Sequence, residues 1–381
     1  MSRGQLSKEV DIMKWISRLF SGAVALLFAV SRLQAQTVDP NSVNDILMPP
    51  AVCAPGLESG HGLTGGASVY VLKPYQDSNI ASVTKSGLAT TAPVTTTTNF
   101  DYRIEPAFAV WAGYSFGDGL GVRARWFHFD ASSSPVNASN GPGLTNTSIG
   151  ASPNLPTLAL PPGANLFGSP GLLLNSGLGQ DLLTFTSELR IDTADAELTY
   201  TWNTPSCNFI FGGGGRFMSM MQSYHARLNN NLGDGVTSES QSLDFSHNFN
   251  GGGVVIDFEA NYKIGRTGLA LYALGRGSLL VGTSDETTNY TQIIRDPRGL
   301  TNGGFFPVNS VISPMATNST AKVLPITEIE LGVEYGKAWG RSFWFVRTAV
   351  VNQTYFGAGS ASRTDANLSL FGGQLTLGVN Y

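Results

Sequence analysis

The chain has 381 residues, of which 13% are charged and 10% aromatic, and a formal net charge of -4. That balance leaves no basic footprint for nucleic acid, and a soluble domain of this size usually carries more charge. A mean hydropathy near zero fits strands with one wet face and one greasy face, because the two cancel in any sliding window.

At the amino end Arg3, Lys8, Lys14 and Arg18 precede an apolar run over 19–30, and Ala35 follows as a cleavage residue. Residues 1–35 therefore read as a signal peptide, with Met13 as an alternative start. Arg32 and Leu33 fit a cleavage site poorly. A membrane anchor is the other reading, but a run of about 12 apolar residues falls short of the roughly 20 that a spanning helix needs. Residues 36–61, rich in Pro, Asn and Gly, read as a periplasmic leader, and 62–381 as the domain.

Ten strand candidates follow in that domain. Residues 63–73 are the weakest, with Ala67, Val69 and Val71 on one face. The second sets Tyr102, Ile104, Phe108, Val110, Ala112 and Tyr114 against Asp101, Arg103, Glu105, Ala107, Ala109 and Trp111. In 120–129, Leu120, Val122, Ala124 and Trp126 oppose Arg123 and Arg125, so the second face borders a wet interior. The fourth, 183–202, turns Ala194, Ala196, Leu198, Tyr200 and Trp202 away from Asp195 and Glu197; its phase slips near Ile191, which suggests a bulge. The fifth, 208–224, carries Arg216 and four successive glycines, Gly212 to Gly215, which suit close approach from a neighbouring strand. In 253–264, Val254, Ile256, Phe258, Ala260, Tyr262 and Ile264 oppose Asp257, Glu259, Asn261 and Lys263. The seventh, 269–281, places Arg276 opposite Leu269, Leu271 and Ala273. The eighth sets Ile329, Leu331, Val333 and Tyr335 against Glu328, Glu330 and Glu334, and the ninth, 342–356, sets Trp344, Val346 and Val350 against Arg347 and Gln353. The last, 368–381, alternates Leu375, Leu377, Val379 and Tyr381 with Gln374, Thr376, Gly378 and Asn380.

Short connections at 117–119, 203–206, 265–267 and 338–340 alternate with long ones at 75–100, 131–182, 226–249, 284–322 and 358–367. Alternating faces joined by alternately short and long loops describe an all-β transmembrane antiparallel barrel of about 10 strands, with both termini periplasmic, in the outer membrane of a Gram-negative-type cell. Unpaired backbone is not tolerated in hydrocarbon, so the sheet has to close. A soluble two-layer sandwich would explain the alternation, but not the amino-terminal segment and the loop order together. Twelve strands are the alternative count, because 131–182 is long enough to hold another hairpin around 158–160 and 172–174. Within that stretch, residues 131–180 carry no Asp, Glu, Lys, Arg or His and, apart from prolines such as Pro156, Pro161 and Pro162, are mostly Asn, Ser, Gly and Leu. They read as a solvent-facing loop or as a constriction folded over the mouth.

The candidate lumen lining is Arg103, Glu105, Arg123, Arg125, Asp195, Glu197, Arg216, Asp257, Glu259, Lys263, Arg276, Glu328, Glu330, Glu334 and Arg347. Such groups either pair across a narrow interior and fill it, or set a field in a water-filled pore. Cys53 and Cys207 both fall on the periplasmic side, where a disulfide is permitted; two free thiols are the alternative. His128, His225 and His247 lie near the outer rim, with Asp130, Asp244 and Ser246 near them in sequence but without catalytic spacing. They read as rim residues. No spaced metal set or phosphate-cradling loop occurs, so neither enzyme activity nor a metal or other cofactor is expected. The expected partners are outer-membrane lipid, small solutes or ions, and the barrel assembly machinery through the strand that ends at Tyr381.

Several short stretches resemble one family. Leu189-Arg190-Ile191-Asp192, Asp195-Ala196-Glu197-Leu198, the glycine-rich Phe211 to Arg216, Ser278 to Gly282, Val351-Asn352-Gln353 and Leu370 to Gly378 are similar to the Legionella-type major outer membrane protein family, pore-forming barrels also found in planctomycetes. The likeness covers roughly 62–381. It implies an outer-membrane barrel with porin-like passage of small polar solutes or ions, and it supplies no catalytic residues. Tyr381 stands where many outer-membrane barrels end in Phe. The alternative function is a non-conducting structural or adhesive barrel.

Overall fold

A computed structural model describes residues 61–86, 94–139, 147–150, 180–231, 238–265, 267–296, 308–313, 315–362 and 366–381. The expected signal peptide and leader, Cys53, and the segments around 158–160 and 172–174 lie outside the described residues.

The strands are β1 (His61–Gln76), β2 (Ile80–Ser86), β3 (Val94–Asn99), β4 (Glu105–Gly117), β5 (Leu120–Ser132), β6 (Val136–Ser139), β7 (Thr147–Gly150), β8 (Gln180–Asn203), β9 (Cys207–Asn231), β10 (Ser238–Lys263), β11 (Leu269–Asp296), β12 (Val308–Ile312), β13 (Met315–Trp339), β14 (Ser342–Tyr355) and β15 (Leu368–Asn380). Antiparallel ladders run β1–β4–β5–β8–β9–β10–β11–β13–β14–β15, and β15 pairs back to β1. The result is a ring-like sheet. Strands β6 and β12 extend individual ladders, while β3, β2 and β7 make a separate small sheet.

Short hairpins define one end of the ring. Between β4 and β5 the turn is Gly117-Asp118-Gly119, with φ of 88°, 50° and 82°. Consecutive left-handed residues are what a tight hairpin between twisted strands requires, and Asp-Gly supplies them cheaply. At this short-turn end the outward face is apolar: Val110, Val122, Leu198, Phe211, Ile256, Leu271, Leu331, Val346 and Leu377 are all exposed there. Water penalises such a band and hydrocarbon does not.

The long strands continue well past that band. β10 has 26 residues and β11 has 28, against the roughly 9–11 that cross a bilayer. Beyond the band the polarity of the two faces exchanges. Inward positions become Leu189, Ile191, Met220, Phe249 and Leu280, all buried, while outward ones become Asp192, Ser219, Asn250 and Asp285.

This exchange corrects two expectations. No bulge occurs near Ile191, where the β5–β8 register runs unbroken through Phe129↔Ile191; the apparent slip is apolar residues moving from the outer face to the inner one. Likewise 226–231, 238–249 and much of 284–322 are strand, because their pattern is apolar-in and polar-out. The stretch 75–100 also contains β2 and β3.

Candidate functional site

Inside the short-turn half of the ring lies a belt of charge. Register alone sets opposite signs side by side: Arg123↔Glu197 and Arg125↔Asp195 between β5 and β8, Asp195↔Arg216 between β8 and β9, Asp257↔Arg276, Arg276↔Glu328 and Glu334↔Arg347 on the strands that follow. Arg216 grips Asp195 with both arms, at 2.7 and 2.8 Å. Glu330 differs from the other carboxylates: it accepts from Tyr272 Oη at 3.0 Å and from Gln374 Nε2 at 2.8 Å.

Other pairs cross the interior. Arg125 of β5 reaches Glu328 of β13 at 3.2 Å, and Arg276 of β11 reaches Glu197 of β8 at 3.3 Å. Arg347 of β14 reaches Glu259 of β10 at 2.8 Å, and Arg123 touches Asp257. Guanidinium groups therefore bridge strands that are not ladder neighbours. The glycine run makes room for this: a Cβ on Gly212 would lie 1.6 Å from Asp257 Oδ1, so any larger residue would displace that carboxylate.

Toward the short turns the belt opens into a cavity of about 170 Å³, lined by Trp111, Arg123, Glu259, Tyr272, Glu330, Arg347 and Gln374 among others. On β1 its wall stops at Tyr70, one inward position before Leu72. There an apolar layer begins, to which every strand of the ring contributes; Leu72, Phe129, Leu189, Ile191, Met218, Phe249, Leu280, Leu324, Val351 and Leu370 are fully buried in it. The interior is thus stratified into a polar vestibule, a charged belt and an apolar septum.

Of the residues singled out in the sequence, Arg123, Arg125, Asp195, Glu197, Arg216, Asp257, Glu259, Arg276, Glu328, Glu330, Glu334 and Arg347 come together in the belt and its vestibule. Lys263 is half-buried at the short-turn end of β10. Arg103 is exposed and donates to Ser134 Oγ at 3.3 Å, so it is not an interior residue. Glu105 opens β4 opposite Leu72, away from the belt. Both depart from the alternation because β4 starts only at Glu105. Tyr102, expected on the greasy outer face, is buried with its hydroxyl 2.6 Å from Ser187 Oγ. Cys207 is half-buried and has no disulfide partner among the described residues.

Tyr70, Tyr272 and Gln374 complete the belt through hydrogen bonds. Each shares strand parity with a charged or polar inward residue, and that parity was the signal available for them. The histidines pair differently from their sequence neighbours: His128 Nδ1 lies 2.7 Å from Asp192, His225 Nδ1 lies 2.7 Å from Asp244, and His247 Nε2 lies 2.6 Å from Ser284 Oγ. Among the described residues no group of three metal-ligating side chains forms.

Comparison with known proteins adds the following. The family model described as Legionella pneumophila major outer membrane protein precursor matches residues 58–369. No curated protein matches the chain. Among solved structures, the outer membrane protease OmpT from Escherichia coli is similar at 10% identity and TM-score 0.39, with 84% of this chain and 96% of that one covered. The outer membrane protein OprG from Pseudomonas aeruginosa is similar at 11% identity and TM-score 0.23, with the same coverage.

Proposed function

The chain belongs to the Legionella pneumophila major outer membrane protein family and resides in the outer membrane, and from that premise we propose that it is a channel for passive diffusion of small polar solutes or ions. The observation that carries this reading is the polar vestibule, which opens at the short-turn end and is walled by belt side chains. On this reading the ring is a ten-stranded barrel closed by β1 against β15, with both termini periplasmic, the belt as selectivity lining, and no catalysis. The strand ending at Tyr381 is what the barrel assembly machinery engages. The conducting form requires the apolar septum to part, since side chains of every strand fill it.

A specific observation favours a second reading, a non-conducting structural barrel. The ion pairs cross the belt and the septum is fully buried, as in a barrel whose interior serves as its core. Planar-bilayer recording on refolded protein separates the two. Glu330→Gln is the informative variant, because its partners Tyr272 and Gln374 are neutral and no arginine is orphaned by the change. Discrete conductance whose ion preference moves toward anions in Glu330→Gln supports the channel. A silent bilayer with correctly folded protein leaves the structural role.

A further inference from the structure

Strand side chains alone do not fill the long-strand half of the ring. Two segments enter it: residues 77–83, which run from β1 into β2, and residues 356–362, which leave β14. Ala81, Ala358, Ser360 and Ala361 are fully buried there, and Ser82 and Ser362 nearly so. Both segments start from one seam, since β14, β15 and β1 are consecutive in the ladder order. They are also tied to each other and to that seam. The Ile80 N–H donates to Ser362 Oγ at 3.0 Å, and Asn367 Nδ2 donates to Asp77 Oδ2 at 2.7 Å.

Both segments are also held by β9. Tyr224 Oη donates to the Ala81 carbonyl at 2.6 Å, and Gln222 Nε2 donates to the carbonyls of Ala358 at 3.2 Å and Gly359 at 3.3 Å. Going round the ring, β9 is reached from β1 through β4, β5 and β8, and from β15 through β14, β13, β11 and β10. It is the opposite wall. Segments rooted at the seam and fastened to β9 span the interior from side to side.

We infer that residues 77–83 and 356–362 form one strap across the long-strand mouth, and that this strap is a movable closure that lets go of β9 while the ladders of the ring stay intact. The composition of the strap favours release. Its buried side chains are mostly Ala and Ser, so little apolar area holds it down. Side-chain hydrogen bonds from Tyr224 and Gln222 fasten it to β9, and its backbone pairing, at residues 80–83, is with β3 and β7 of the small sheet and not with the ring, whereas each strand of the ring is held by two ladders. Segments with few apolar contacts open locally far below the cost of global unfolding. The inference deepens the channel reading by naming what regulates entry from this side, and it rests on that reading only for the consequence that release admits solute.

The test uses the full chain with Cys53→Ser and Cys207→Ser, and Ala361→Cys as the probe, reacted with a bulky water-soluble thiol reagent. Tyr224→Phe removes the hydroxyl that holds Ala81 and keeps the ring; Gln222→Leu removes the other latch. Retention of the heat-shifted gel band establishes that each variant is folded. Labelling of Cys at 361 is expected to speed up about tenfold in Tyr224→Phe, the factor that one buried hydrogen bond is worth in an opening equilibrium. Equal labelling rates in latched and unlatched folded proteins would overturn the strap. Bilayer recordings on the same variants keep the two readings apart. Faster labelling with more frequent openings supports both, while faster labelling with a silent bilayer retains the strap and removes the channel.

Discussion

Arg216 holds carboxylates from two other strands at once, Asp195 through both arms and Glu328 through its remaining nitrogen at 2.5 Å. A planar fork with several donors suits that task, and a lysine ammonium does not. Replacing Arg216 by Met leaves two buried carboxylates short of their cation, at a cost of about 3–5 kcal/mol. The urea midpoint of the heat-modifiable band should fall accordingly, with Arg216→Lys losing less. A pH effect belongs to His247, which stands beyond the apolar outer band: its strand neighbours Ser246 and Asn248 face outward and are polar. Its ring is fully buried against Ser284, with Glu286 opposite it in register and Lys322 on β13. Burial first, and Lys322 second, push its pKa down to about 4. The unfolded chain takes up a proton near pH 6.5 while the folded one stays neutral, so stability is full above 6.5 and declines as pH falls toward 4. Unfolding midpoints measured across that window should drop in the native protein and change less in His247→Gln.

Each long strand is two strands in series, and only one of its halves is penalised by an outward charge. Ile256 is exposed in the middle of the outer band on β10, and Arg at that position should cost about 2–4 kcal/mol by refolding titration in lipid. Ser240 shares that strand and that outward parity but lies far beyond the band, so Ser240→Arg should stay within about 0.5 kcal/mol. The same division explains what was legible in the sequence. The band-crossing parts of β10 and β13 were plain, because apolar-out and charged-in alternation is a two-state pattern from Val254 to Lys263 and from Glu328 to Tyr335. Their extensions read as loops in the sequence because polar residues occupy the outer face there, and Leu243, Phe245 and Phe249 change sides without any break in backbone pairing. Period two reports a strand; which phase faces inward depends on the solvent outside, and the pattern alone does not supply that.

At the scale of the whole molecule, β15 is the strand on which ring pairing depends. It is laddered to β1 through Thr64↔Asn380 and onward, and to β14 through Phe343↔Asn380 and onward. Removing 368–381 leaves two unpaired edges that hydrocarbon does not tolerate, so no heat-modifiable species should form in lipid or detergent. The belt was legible to the extent that parity assigned its charges to one face. Pairing across the interior is one of the two arrangements the sequence offers, but which arginine reaches which non-adjacent strand, as Arg125 does Glu328, follows from ring width and not from any single strand. The strap was invisible for a different reason: Ala81, Ala358 and Ala361 carry no periodicity and are buried by where the chain returns, not by what they are.

The exchange of faces near Asp192, Asn250 and Asp285 also fixes how deep the protein floats. Sliding the ring by two residues along its axis would immerse those polar groups in acyl chains at one rim, or lift Trp344 and Tyr381 clear of them at the other. The ring therefore cannot meet a thicker bilayer by shifting. The lipid has to adapt, thinning around the protein where the surrounding membrane is too thick, at a cost of a fraction of a kcal/mol for each ångström of mismatch. Copies of the chain embedded in such a membrane would be drawn together to share one thinned annulus, an attraction that needs no complementary surface between them.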